Sequence, residues 1–392
     1  MKRAIVLSGG GSKGSYEIGV WKALRRLHIK YDIVTGTSIG ALNGALMTQK
    51  TYHQGLYLWE HLTFEDVVDN DLKVDVSTKK GKNKILKTYA KGIIRGGLSV
   101  SNLEKTLDET ISLKKIYTSR INMGIVTVKF KNLEPVVLTK NEIKPCDLKK
   151  YLIASASCFP AFQRKKIKDE FYMDGGMFDN LPINLAIDMG ATEVIAVDLK
   201  EVGFKQKVKN QEVKITTISP RNDIGSFLIF DSSLAKRAIQ YGFNDTMKVF
   251  GKYDGNLYTF KKDHLSENYL KYKDLFESKY RKKIKNSEFN KIVENLGNIF
   301  QIDDTKIYSI SRFNKLLTKK FLFLKEDFDI YQLLSQKKIK TAFSEKSIVK
   351  IIYDSITDSK EELEQIMKIF SMEYKEAIYL KCIIGDSYEK VN

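Results

Sequence analysis

The first 47 residues alternate short apolar runs with glycine-bounded turns and helical patterns. Residues 4–7 form an apolar run that ends at glycines, which is typical of a buried strand at the centre of a sheet. Residues 15–28 have helical spacing, residues 32–35 resemble a second strand, and residues 39–47 a second helix. This order of elements predicts an α/β fold with a mainly parallel central sheet.

Further strands and a second part follow. Residues 55–113 have a mostly helical pattern, and the tail has a helical face over residues 361–383. All five prolines precede residue 221, and only two glycines follow Gly255, which indicates a change of architecture. We therefore expect one domain over residues 1–255 and a Lys-rich, mainly helical region of unknown role over 256–392. The additional predicted strands are residues 121–130, 135–139, 171–173, 193–198 and 214–218.

The cysteine content and the apolar stretches limit the cellular compartments in which this protein is expected. The three cysteines, Cys146, Cys158 and Cys382, are too few and too scattered for a disulfide framework or a metal site. The apolar run at residues 4–7 is too short for a signal peptide, and no later stretch approaches the roughly 18 apolar residues that span a bilayer. We expect a cytoplasmic protein, without excluding a leaderless export route.

The net charge of +18 raises the question of a partner. Such a charge favours anionic surfaces, so peripheral association with an anionic membrane is one expectation. An even spread of lysines is also what compositional bias alone produces. Basic and aromatic residues do not interleave at a repeated spacing, so we expect no nucleic-acid partner.

Ser38 is the candidate nucleophile. It stands in a Gly-x-Ser-x-Gly pattern between Gly36 and Gly40, which is weak evidence by itself in a chain of this length. The pattern nevertheless falls between a predicted strand and a predicted helix, the setting in which a sharp bend exposes a nucleophile. The two glycines suit a bend that brings backbone against backbone.

A glycine-rich loop precedes this serine by one helix. It allows two interpretations: a cup of backbone amides for an oxyanion, or a dinucleotide-binding fingerprint. The second interpretation requires an acidic residue at the close of the next strand, whereas Asp32 opens that strand, so we favour the oxyanion hole. The loop comprises Gly9, Gly10, Gly11, Ser12, Lys13 and Gly14.

The candidate general base for Ser38 is an aspartate and not the more usual histidine. A histidine normally activates a serine, but His28, His53 and His61 read as ordinary helix residues. His264 could complete a Ser-Asp-His order, although no motif surrounds it. Asp174 is the better candidate, because it follows a predicted strand and precedes Gly175 and Gly176, which leave room for a close approach. An Asx-turn at a strand end is the structural alternative.

Together these motifs resemble the patatin-like phospholipase family, whose members use a Ser-Asp dyad without histidine. The residues that carry the resemblance are the loop at 9–14, the elbow at 36–40, Asp174-Gly175-Gly176, Asn180, Pro182 and the stretches 154–160, 224–228 and 241–242. The resemblance extends over about residues 1–250. One departure is Lys13, where the family more often has Arg, so the charge is kept and the forked geometry is lost.

The resemblance implies a three-layer α/β/α fold and an acyl hydrolase that cleaves carboxylic esters of lipids, with no cofactor and no metal. Ser38 would attack the ester, and Asp174 would take its proton. The amides around Gly10, Gly11 and Ser12, with that of Ile39 as a further candidate, would hold the oxyanion. We expect partial burial to raise the pKa of Asp174, because a free Asp titrates near 3.9. The alternatives are a membrane-surface lipid-binding protein and a nucleotide-dependent enzyme. Oligomeric state is open.

Overall fold

The computed structural model describes residues 2–69, 74–76, 78–263, 267–324, 343–356 and 369–388. His264 and residues 361–368 of the predicted tail helix lie outside the described residues. The chain divides into two compact units, Met1–Val249 and Phe250–Asn392. The predicted domains, 1–255 and 256–392, stay a prediction, because compactness does not test whether each part folds alone.

The strands of the first unit form one mainly parallel sheet. Its order is β5-β6-β3-β2-β1-β7-β8, and β4 pairs with β3. β1 lies between β2 and β7 and is parallel to both, which confirms the predicted central position of the first apolar run. The strands are β1 (Arg3–Leu7), β2 (Ile33–Thr37), β3 (Asn122–Lys129), β4 (Pro135–Thr139), β5 (Lys165–Ile167), β6 (Glu170–Asp174), β7 (Glu193–Val197) and β8 (Lys214–Ile218).

The predicted α/β fold is therefore confirmed. Of these strands, only β5 had no counterpart among the sequence predictions. Its three residues, Lys-Lys-Ile, are too short and too polar to produce an apolar pattern.

Two strands share one edge of β3. Residues Thr127 and Val128 pair with β4 and with β6, so those two strands lie on opposite edges of β3. Residues Gly124 to Val126 pair with both β4 and β2, so β2 lies opposite β4 as well. β6 therefore continues the edge that β2 occupies, just past the carboxyl end of β2. β2 is parallel to β3 and β6 is antiparallel to it, so the carboxyl ends of β2 and β6 meet.

Helices cover this sheet and connect its strands. α2 packs on β2, β1 and β3, and α1 packs against α9. The helices of the first unit are α1 (Ser15–Arg26), α2 (Ile39–Thr48), α3 (Tyr52–His61), α4 (Lys79–Ile94), α5 (Ser101–Thr110), α6 (Leu113–Thr118), α7 (Leu148–Ser155), α8 (Ile183–Asp188) and α9 (Ser232–Val249).

The second unit has its own aromatic and aliphatic core, which includes Phe276, Phe289, Phe313 and Tyr379. It is mainly helical, as predicted, but it also contains a small three-stranded sheet that the sequence did not indicate. Its elements are α10 (Glu267–Tyr280), α11 (Asn286–Ile299), α12 (Ile310–Leu322), α13 (Glu345–Ser355), α14 (Ser371–Tyr388), β9 (Tyr253–Asp254), β10 (Thr259–Lys261) and β11 (Ile307–Tyr308).

The predicted helix over residues 361–383 is wrong in one respect. Phe370 has no helical conformation, and α14 begins at Ser371, so the helix is not continuous through that point. Among the described residues, no helix is long and apolar enough to cross a membrane.

Candidate active site

Ser38 lies on a strained bend between β2 and α2. Its backbone has φ 57° and ψ −128°, a conformation that few side-chain-bearing residues adopt. The bend is tight: a Cβ added to Gly36 would lie 2.3 Å from the carbonyl oxygen of Gly40. The strand–turn–helix setting predicted for this serine is therefore present. The bend aims Ser38 at the amino end of α2, where the helix dipole is positive.

A buried serine holds this bend in place. The backbone N–H of Ser38 donates to Ser155 Oγ at 2.8 Å, and the Ser155 hydroxyl donates to the carbonyl oxygen of Val126 at 2.7 Å. Ser155 thus connects the elbow to β3. The sequence showed Ser155 only as one small residue in the stretch 154–160, since an ordinary serine near a helix end carries no signal of such a contact.

Asp174 ends β6 and meets Ser38 across the strand junction. Asp174 and Ser38 line the same cavity, and the Gly176 N–H donates to Asp174 Oδ1 at 2.7 Å. Asp174 is only 6% exposed. Burial raises the pKa of Asp174 to about 6, although its interactions with the Ser38 side chain and the Gly176 N–H oppose the increase. The expected raised pKa is thus present, and the Asx-like contact to Gly176 coexists with the contact to Ser38.

The glycine loop presents only some of its amides to the site. The Gly9 N–H donates to the backbone oxygen of Asn180 at 3.1 Å, that of Ser12 to Phe227 at 2.9 Å, and that of Lys13 to Gly10 at 3.1 Å. Within the described residues, the amides of Gly10 and Gly11 have no such acceptor.

The positions of the loop residues agree with this division. Gly9, Gly10 and Gly11 line the same cavity as Ser38 and Ile39, whereas Ser12, Lys13 and Gly14 are not among the described residues that line it. Gly14 is instead buried against Ile39 and Trp59.

Asn180 fixes the glycine loop against the loop after β6. Its Oδ1 accepts from the Gly9 N–H at 3.2 Å, and its side-chain amide donates to the Gly9 oxygen at 3.4 Å. A Cβ on Gly9 would lie 2.3 Å from Asn180 Oδ1 and 3.0 Å from Ser38 Cβ. The sequence marked Asn180 as part of a motif, but its clamping contact depends on the folded chain.

These groups open onto a cavity of about 430 Å³ whose other walls are mostly apolar. Leu42, Phe159, Phe162, Phe227 and Phe230 contribute to those walls. Such a lining suits an apolar ligand that carries one reactive polar group.

Cys158 is the other nucleophile type on the cavity wall. Burial, with a smaller contribution from the Asp174 charge, raises the pKa of its thiol to about 12. The thiol stays protonated at neutral pH and is a poor nucleophile. Of the two side chains, Ser38 is therefore the better candidate nucleophile.

The histidines described by the structure contribute nothing to this cavity. His53 and His61 lie in α3, as expected, but His28 follows the end of α1 with φ 53°, so its interpretation as a helix residue is wrong. The described residues also contain no group of three or more His, Cys, Asp or Glu side chains arranged to hold a metal ion.

A nucleotide is poorly matched to the glycine loop. Lys13 forms an ion pair with Glu201, whose carboxylate also lines the cavity. The charge of Lys13 is thus already engaged, and three of the loop amides that could cradle a phosphate already have acceptors.

A serine on a strained bend at the carboxyl edge of a mainly parallel sheet, beside a buried carboxylate, defines an α/β protein of the nucleophile-elbow class. Residues 5–187 match the family model for patatin-like phospholipases. The chain therefore carries a domain similar to the patatin-like phospholipases over residues 5–187. The match ends before residues 224–228 and 241–242, so the likeness proposed there stays a prediction.

Curated relatives and one solved structure are similar to the chain. It is 30% identical over 213 residues to patatin-like phospholipase domain-containing protein 6 of Homo sapiens and 28% identical over 205 residues to protein 7 of Rattus norvegicus. Each alignment covers 50% of this chain and only 13% of the relative. The crystal structure of VipD from Legionella pneumophila aligns with a TM-score of 0.42 and 15% identity, over 97% of this chain and 90% of that one.

Proposed function

We propose that the chain is a lipid acyl hydrolase that cleaves carboxylic esters, with Ser38 as nucleophile and Asp174 as base. The observation that carries this proposal is the placement of Ser38 and the buried Asp174 carboxylate together at the wall of one apolar cavity, where the two side chains interact. The match of residues 5–187 to the family model for patatin-like phospholipases supports it independently.

The chemistry follows from these positions. Ser38 Oγ attacks the ester carbonyl carbon while Asp174 accepts the hydroxyl proton. The tetrahedral intermediate collapses, and the proton on Asp174 passes to the departing alcohol. Water then attacks the acyl-enzyme while Asp174 again accepts a proton. When the second tetrahedral intermediate collapses, the fatty acid leaves and Asp174 returns that proton to Ser38 Oγ. With a pKa of about 6, Asp174 is ionised at neutral pH and yet a stronger base than an ordinary carboxylate.

The oxyanion is the second requirement. We assign it to the amides of Gly10 and Gly11, with that of Ile39 at the first turn of α2. Two observations support this assignment. All three residues line the cavity, and within the described residues the amides of Gly10 and Gly11 have no hydrogen-bond acceptor. Losing one such donor typically costs about a hundred- to thousandfold in rate.

The proposed substrate class is acyl lipid, phospholipid or lysophospholipid. Its support is the apolar lining of the cavity, together with relatives such as the lysophospholipase nte1 of Aspergillus terreus, which is 57% identical over 42 residues. That alignment covers 11% of this chain and 3% of the relative, so head group and acyl length remain to be measured.

The test compares purified wild type with Ser38→Ala and Asp174→Asn. We expect Ser38→Ala to release no fatty acid from mixed vesicles or from a soluble short-chain ester, and Asp174→Asn to lose at least about a hundredfold, as expected for a general base. Ser101→Ala, a change in α5 outside the cavity lining, should match wild type. Equal activity of wild type and Ser38→Ala would refute the proposal.

A fluorophosphonate probe tests the nucleophile without any choice of substrate. Labelling should occur in wild type and Ser101→Ala, and should disappear in Ser38→Ala. If wild type binds vesicles but neither reacts with the probe nor releases fatty acid, the chain is better described as a membrane-surface lipid-binding protein.

A further inference from the structure

Three large apolar side chains at the cavity face solvent. Val202 is 98% exposed, Phe204 63% and Met177 49%, and all three line the cavity that contains Ser38. Exposed apolar residues are ordinary when they are scattered, but a group around one opening marks an interaction surface. We call these three residues the apolar rim.

The backbone holds the rim in this outward position. The Phe204 N–H donates to the carbonyl oxygen of Gly176 at 2.9 Å, and the Phe204 oxygen accepts from the Asn180 N–H at 2.6 Å. Gly203 packs so closely on Asn180 that an added Cβ would lie 2.8 Å from the Asn180 Cβ. The loop after β7 is thus tied to the loop after β6, which fixes the backbone from which Phe204 projects.

The charges next to the rim favour contact with a lipid surface whose head groups are anionic. Glu201 is paired with Lys13, and Asp198 with Lys205 at 2.7 Å, so the two acidic groups nearest the rim in the sequence are neutralised locally. Lys207 and Lys209 are exposed on the same loop. Basic side chains beside an apolar patch suit a lipid surface with anionic head groups, and the chain as a whole carries +18.

We infer that the apolar rim inserts into a lipid bilayer surface and places the mouth of the cavity against the membrane. An acyl chain could then pass from the bilayer to Ser38 without crossing water, a consequence that rests on the proposed function. Docking itself does not require hydrolysis. The inference places a membrane contact in the first unit, whereas the net charge of +18 gave no position for such a contact.

The test measures binding of full-length protein to vesicles of phosphatidylcholine and phosphatidylglycerol. All variants carry Ser38→Ala, so that no lipid is consumed. Val202→Asp and Phe204→Asp should each lower partitioning about tenfold or more, because each removes an inserted side chain and adds a charge. Tyr57→Asp is the matched control, since Tyr57 is 67% exposed and is not among the residues lining the cavity. Equal partitioning of Tyr57→Asp and both rim variants would overturn the inference.

A variant that gains a fluorescence signal tests insertion even if the Asp variants misfold. The two native tryptophans, Trp21 and Trp59, are buried, so a third at position 202 reports its own surroundings. Val202→Trp should bind vesicles at least as tightly as the parent, and its emission should shift to the blue when vesicles are added. No shift at saturating lipid would refute insertion.

Other results separate the alternatives. If the parent is a dimer in lipid-free sedimentation and Val202→Asp is a monomer, the rim is a contact between two copies of the chain and the inference fails. If wild type shows no esterase activity while the rim variants lose vesicle binding, the proposed function fails and the docking surface stands.

Discussion

Replacing Asp174 by Asn should stabilise the protein, and it should do so more at high pH than at low pH. In the folded chain the carboxylate is buried, and its pKa rises from 3.8 to about 6. The proton is therefore bound more tightly in the folded state than in the unfolded state. The resulting stability is fully present below the unfolded pKa, and it is lost as the pH rises through the folded pKa.

The magnitude follows from the shift. About two pKa units correspond to about 3 kcal/mol of unfolding free energy, which is lost in full at pH 8 and about half lost at pH 5. Asn cannot ionise and loses nothing. The stability advantage of Asp174→Asn over wild type should therefore be about 1–2 kcal/mol larger at pH 8 than at pH 5. Taking this difference cancels any effect of the substitution that does not depend on pH.

Urea denaturation followed by tryptophan fluorescence provides the measurement. Trp21 and Trp59 both lie in the first unit, so the signal reports on the unit that contains Asp174. Asp188→Asn, at an exposed carboxylate in α8, is the control, because a carboxylate in water has no burial cost to release. An advantage of Asp174→Asn that is the same at pH 5 and pH 8 would refute the reasoning.

Three further outcomes are expected. Esterase kcat/KM should fall about tenfold for each pH unit below about 6, as Asp174 takes up a proton; a flat profile to pH 5 would contradict its role as base. Ser155→Ala should cost about 1–3 kcal/mol in urea denaturation, because it leaves the buried Ser38 N–H without an acceptor. Gly36→Ala should cost about 3 kcal/mol or prevent folding, whereas Gly44→Ala, with a single contact at 3.1 Å, should change stability by less than about 1 kcal/mol; equal effects would argue against the tight bend.

Local features of the first unit were readable from the sequence. The apolar run of β1, the helical spacing of α1 and the bend at Ser38 depend on neighbours within a few residues, so periodicity and glycine placement predict them. The same argument failed where local signals are weak or interrupted. β5 is short and polar, and the helical pattern of the tail continues through Phe370, although α14 starts only at Ser371.

The glycine loop shows the limit of a motif. The family resemblance implied that the amides around Gly10, Gly11 and Ser12 hold the oxyanion. In the folded chain, Asn180 accepts a hydrogen bond from the Gly9 amide and Phe227 from the Ser12 amide, and each acceptor lies more than 150 residues from its donor. Only the tertiary contacts distinguish Ser12 from Gly10 and Gly11, because backbone donors are satisfied by whatever the fold brings near them.

The sequence by itself determined the α/β class, the serine on its bend and the choice of a carboxylate over a histidine as its expected partner. It did not determine how Ser38 and Asp174, 136 positions apart, come together. That meeting is decided by the pairing of β6 with the edge of β3 that β2 already occupies, which sets the ends of the two strands against each other. The raised pKa of Asp174 has the same origin, because only the packed sheet and its helices remove water from that carboxylate.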